Sequence, residues 1–195
     1  EVSMWDVSTE ENSSIMGWVE KQASGALKVY IGSEKTIYAN ENSDCLFNYI
    51  GYSDNCTATE TITNIGLLNT SNVTSMYRVF YYTGYKSMTK LDLGTNFDTS
   101  NVTNMFNMFW YCGYNSMTEL NLGSKFNTSK VTNMGFMFPH CGEMNLKSLN
   151  LGENFDTSNV TKMNAMFGEV GRQKMTSLKL GSKFDTSKVT TMKWM

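Results

Sequence analysis

An α/β solenoid of stacked 29-residue coils, each with a short parallel strand and a short helix, is the fold class the sequence predicts. Three observations carry it. The valines of a "TSxVT" phrase stand at 73, 102, 131, 160 and 189, each 29 residues after the last (102 − 73). Leu91, Leu120, Leu149 and Leu178, and likewise Phe97, Phe126, Phe155 and Phe184, keep the same register without a gap. A fixed period in this range marks units that cannot bury an apolar face alone and must stack.

Within one unit, "LDLG" at 91–94 alternates apolar and polar, the pattern of a strand with one buried face. Asp98, Thr99 and Ser100 follow, residue types that cap helix N-termini. Val102, Met105 and Phe109 then fall at i, i+3 and i+7, which predicts a helix of about three turns. Gly113, matched by Gly84, Gly142 and Gly171, sits where a left-handed residue would end it.

Residues 1–61 lack the period and predict an N-terminal β-containing cap, with "ALKVYIG" and "KTIYA" as paired strands; residues 62–195 form the array. The last unit stops at Met195 with Met192 and Trp194 uncovered, which points to further repeats or self-association at that end.

Composition narrows function. A formal net charge of −2 gives no electrostatic case for nucleic acid, and no apolar run is long enough to span a bilayer. The opening "EVSMWDVSTEENSS" has neither the basic start nor the apolar core of a signal peptide, as expected of a mature secreted protein or a fragment. The only histidine, His140, has no nucleophile or carboxylate at motif spacing, and no Cys/His metal spacing occurs. No enzyme, cofactor or metal is expected.

Cys45 and Cys56, eleven positions apart, are read as a disulfide at the seam between cap and array. Cys112 and Cys141 occupy equivalent positions on neighbouring coils. Strand spacing would allow a bond there, whereas helix spacing favours two buried thiols.

The phrase "LxLGxxFDTSxVTxMxxMF" resembles the BspA-like leucine-rich repeats of bacterial surface proteins, and "IMGWVEKQASGALKVYIGSEKTIYA" followed by "CLFNYIG" resembles their N-terminal cap. The resemblance implies a leucine-rich-repeat fold, an extracellular location on a bacterial cell surface, and adhesion through a host or microbial surface protein or glycan.

Two surfaces are candidates for that ligand. The first is an aromatic patch after each predicted helix, Tyr81, Tyr82, Tyr85, Trp110, Tyr111 and Tyr114, which disappears in the next two coils instead of persisting as a core column would. The second is the concave strand face, Lys90, Asp92, Glu119, Asn121, Asn150 and Lys179 with Ser148 and Ser177. Two rival functions are a passive spacer in a larger surface protein and an ice-type binder using stacked Thr99, Thr128, Thr157 and Thr186.

Overall fold

A computed structural model describes residues 3–6, 14–23, 25, 27–54, 56 and 62–195. The chain divides into two compact units, Glu1–Tyr38 and Ala39–Met195.

The first unit is an antiparallel three-stranded sheet of β1 (Ser3–Asp6), β2 (Met16–Lys21) and β3 (Leu27–Gly32), with β2 in the centre. β2 and β3 are held in register by the cross-strand pair Trp18 and Tyr30, whose rings stack at 5.1 Å. Gly17 sits under Trp5: a Cβ there would meet the indole at 2.7 Å. The expected hairpin of "ALKVYIG" with "KTIYA" does not form. β3 pairs back onto β2, and Lys35–Ala39 contributes only an isolated bridge position at Tyr38. Ala26 and residues 57–61 of the expected cap lie outside the described residues.

The second unit corrects the predicted fold class. Among the described residues there is no α-helix, only a 3-10 turn at Ile65–Leu67, so the α/β leucine-rich-repeat solenoid with a helix per coil is not the fold. The architecture is nearly all β and turn. The parallel sheet expected to run through every coil is two separate pairs, β4 (Lys90–Asp92) with β5 (Glu119–Asn121), and β6 (Ser148–Asn150) with β7 (Ser177–Lys179). Successive 29-residue units also meet through single parallel bridges, Ser75 to Asn104 to Asn133 to Lys162 to Thr191, and residues 41–51 add an earlier rung through Asn42 and Ser75.

Backbone hydrogen bonding explains why the helix is absent. In residues 76–84 alternate N–H groups leave the unit: Phe80 donates to the Met108 carbonyl and Tyr82 to that of Trp110, both at 2.8 Å. The intervening N–H groups close tight turns, Tyr81 onto Arg78 and Thr83 onto Phe80, each at 3.2 Å. An α-helix would keep all these donors within the segment. The turns require left-handed residues, and Arg78, Tyr82 and Gly84 have φ of 57°, 56° and 60°. The same places in the next unit are taken by Asn107, Tyr111 and Gly113. Gly113 is therefore left-handed as expected, but it lies within a run of turns that continues to Ser116. A four-residue turn period puts Met105, Met108, Phe109 and Cys112 inside, the spacing that also marks a helix face.

Asp98, Thr99 and Ser100 are likewise not helix caps. The Asp98 carboxylate accepts the Ser100 N–H at 2.9 Å in an Asx turn, repeated by Asn127 and Asp156. The buried threonine beside each staples one unit to the next. Inside, Phe80, Phe109 and Phe138 stack with ring centroids 5.2 Å apart, and the leucine, methionine and phenylalanine columns form one core. At the far end Leu178, Met192 and Trp194 are exposed.

All four cysteines are free thiols. The Cys45–Cys56 bridge is not formed, and Cys112 and Cys141 are both fully buried.

Candidate functional site

The turns that replace the helix send Met76, Val79, Phe80 and Thr83 inward and leave Tyr77, Arg78, Tyr81, Tyr82 and Tyr85 half-buried on the outer side. Stacking identical turns aligns these outer positions into columns. One column runs Tyr49, Tyr82, Tyr111 and His140, with stacked rings 5.4, 4.6 and 4.2 Å apart. A second runs Tyr52, Tyr85 and Tyr114, the last two 4.9 Å apart and 3° from parallel. Beside them Trp110 lies edge-on to Tyr81 at 5.9 Å and stacks on Phe136 at 5.2 Å. Tyr77 and Phe106 stack at 6.0 Å. The six aromatics of the sequence patch are thus brought together, in one wall that is larger than the patch.

The columns use ring faces on one another. Burial, reinforced by neighbouring phenols, pushes the Tyr82 hydroxyl up to about 12 and raises Tyr111; Tyr81 and Tyr85 are raised for the same reasons despite the lowering effect of Arg78 and Lys86 respectively. These hydroxyls stay neutral near pH 7 and can both donate and accept hydrogen bonds.

Charges on the wall are mostly paired. Lys86 meets Asp54 at 2.6 Å and lies over the Tyr85 ring. His140 Nδ1 is 2.6 Å from the buried Glu143 carboxylate, and Arg172 holds Glu169 at 3.1 Å. Arg78 differs. Its guanidinium lies over the rings of Tyr77 and Tyr81, at 4.9 and 4.8 Å, with no carboxylate partner among the described residues. Among the described residues its Nε is buried without a hydrogen-bond partner, as are Asn107 Oδ1 and Trp110 Nε1.

The strand residues form a different surface. Glu119, Asn121, Ser148, Asn150 and Lys179 are exposed, with Lys90, Asp92 and Ser177 partly so. They are largely engaged with one another: Lys90 bridges Asp92 at 3.5 Å and Glu119 at 3.0 Å, and Asn121 donates to Asp92 at 3.0 Å. Asp92, Asn121 and Asn150 each also accept the N–H of a following glycine. The chemistry there is turn formation. Thr99, Thr128 and Thr157 are buried, so they present no face to ice, while Thr186 is exposed. No group of three or more His, Cys, Asp or Glu able to hold a metal occurs among the described residues, and no helix is long and apolar enough to cross a membrane.

Sequence reasoning missed Tyr49, Tyr52, Tyr77, Arg78, Phe106 and Phe136. A signal for the first two was present. "CLFNYIGY" aligns with "RVFYYTGY", setting Phe47 with Phe80, Tyr49 with Tyr82, Gly51 with Gly84 and Tyr52 with Tyr85. Arg78 gave no signal, because its value lies in what surrounds it.

The sequence model of a family described as "Mycoplasma protein of unknown function, DUF285" matches residues 52–170 and 143–195, and the chain belongs to that family. No curated protein and no solved structure matches.

Proposed function

We propose that this member of the DUF285 family is a non-catalytic binding module, displayed outside the cell, whose aromatic wall engages a protein on a host or microbial surface. The observation that carries the reading is the wall itself: half-buried tyrosines and Trp110, gathered from rungs far apart in sequence. Tyr, Trp and Arg are the residues that dominate protein-interface energetics, because they offer rigid area with a polar tip. The pairing of ring faces within the columns favours a protein over a glycan, since a sugar would need an open face to stack on. The resemblance of the repeat phrase to BspA-like sequences supports display at a cell surface.

The same face pairing favours one alternative, a spacer in which the columns only stiffen the stack. Replacing Tyr82, Tyr85, Tyr111 and Tyr114 together by Phe separates the two, because it keeps the rings and removes the hydroxyls. The binding reading expects wild type to be retained saturably by at least one immobilised surface protein, with affinity down about tenfold in the Phe variant. Retention of neither protein on surface proteins or glycans would leave the spacer.

A further inference from the structure

We infer that Arg78 anchors the aromatic wall to a carboxylate carried by an acidic peptide segment of the partner protein. This rests on the binding reading above and deepens it. Each other charged group described on the wall is answered from within: Lys86 by Asp54, His140 by Glu143, Arg172 by Glu169. Among the described residues Arg78 is answered only by two ring faces. Contacts to ring faces occupy none of its N–H donors, and its Nε is buried and unpaired among the described residues.

The neighbourhood points the same way. Tyr81 joins Arg78 to Trp110, and the buried Trp110 Nε1 is a second donor with no acceptor among the described residues. Asn107 stands at the position equivalent to Arg78 one unit on and is 1% exposed. Two unanswered donors, one of them cationic, call for an anionic acceptor, and a planar guanidinium matches a carboxylate in two parallel hydrogen bonds. A peptide is favoured over an acidic sugar because the guanidinium already covers the faces of Tyr77 and Tyr81 on which a sugar ring would lie.

The test is a titration of the full chain, labelled with nitrogen-15, followed at the indole N–H of Trp110, whose signal is identified with Trp110→Phe. The probes are a blocked glutamate-rich hexapeptide, its glutamine counterpart and a uronic-acid oligosaccharide. The decisive variant is Arg78→Asn, chosen because Asn107 already occupies the equivalent left-handed position, at φ 61°. The glutamate peptide is expected to move the Trp110 signal saturably. Binding should be weaker by about tenfold or more for the glutamine peptide and for Arg78→Asn, and weaker in added salt. Equal binding of both peptides, or full binding by Arg78→Asn, would overturn the inference while leaving the wall as a neutral site. Saturation by the oligosaccharide alone would overturn the peptide assignment. An unmoved Trp110 signal with every probe would mean that these buried donors stay closed to a partner, and the inference falls. Retention on surface proteins, lost in the Phe variant, reports separately on the binding reading.

Discussion

Thr99 makes two hydrogen bonds to one residue of the next unit: its Oγ1 donates to the Asn127 carbonyl at 2.7 Å and accepts the Asn127 N–H at 2.8 Å. Thr128 does the same to Asp156, and Thr157 to Asp185. Each threonine is at most 1% exposed, and its hydroxyl answers two partly buried backbone groups of the next unit. Thr128→Val keeps the shape and orphans both groups. It is expected to lower stability by about 2–4 kcal/mol in urea unfolding, with Thr128→Ser close to wild type. Thr186→Val, in the exposed last unit, should be nearly silent. Equal losses at 128 and 186 would refute the staple.

Gly123 and Gly152 have nearly the same φ, 79° and 81°, but different surroundings. A Cβ on Gly123 would lie 2.1 Å from the Gly94 carbonyl oxygen, whereas one on Gly152 meets nothing within 4 Å. Gly152→Ala should cost only the left-handed backbone term, about 1–2 kcal/mol. Gly123→Ala must also push two units apart and should unfold at clearly lower urea. A smaller loss at 123 than at 152 would contradict the close approach.

The Tyr82 phenol, held up to about 12 against 10.0 for a free phenol, sets a pH window. Between those values the folded chain keeps a proton that the unfolded chain has released. The contribution of this group to stability is therefore complete below pH 10.0 and lost as pH rises toward about 12. An alkaline titration followed by tyrosinate absorbance should show Tyr82 ionising late, and Tyr82→Phe should flatten part of the alkaline fall in stability. Ionisation of Tyr82 in step with free tyrosine would refute the buried column.

Thiol reactivity follows burial. Cys112 and Cys141 are fully buried, and burial raises the Cys112 thiol well above its ordinary range. Cys45 and Cys56 are partly exposed. Brief alkylation of the native protein, counted by mass spectrometry, should label Cys45 and Cys56 first and reach the other two only in denaturant. Rapid native labelling of Cys112 would contradict the closed core.

Much of the organisation was legible in the chain. The 29-residue period identified which residues share a column, and Leu91, Phe97, Met105 and Phe109 all lie in the core as their conservation of spacing along the repeat implied. The aromatic patch was legible too, because Tyr82, Tyr85, Trp110, Tyr111 and Tyr114 sit in columns that change from unit to unit. Helix and turn were not separable. Val102, Met105 and Phe109 satisfy the helix period, and a run of four-residue turns buries the same positions.

By itself, then, the sequence determined the repeat unit, the inward and outward columns and the crowding of aromatics, since these depend only on residue type and spacing. Only the tertiary structure decided where the backbone N–H groups go. Phe80 and Tyr82 donate to the next unit, and that choice needs a neighbour at hydrogen-bonding distance, which no single unit contains. The same stacking turned Tyr82, Tyr111 and His140 into one column and left Arg78 between two rings with no carboxylate partner among the described residues, because side-chain company is set by packing across units.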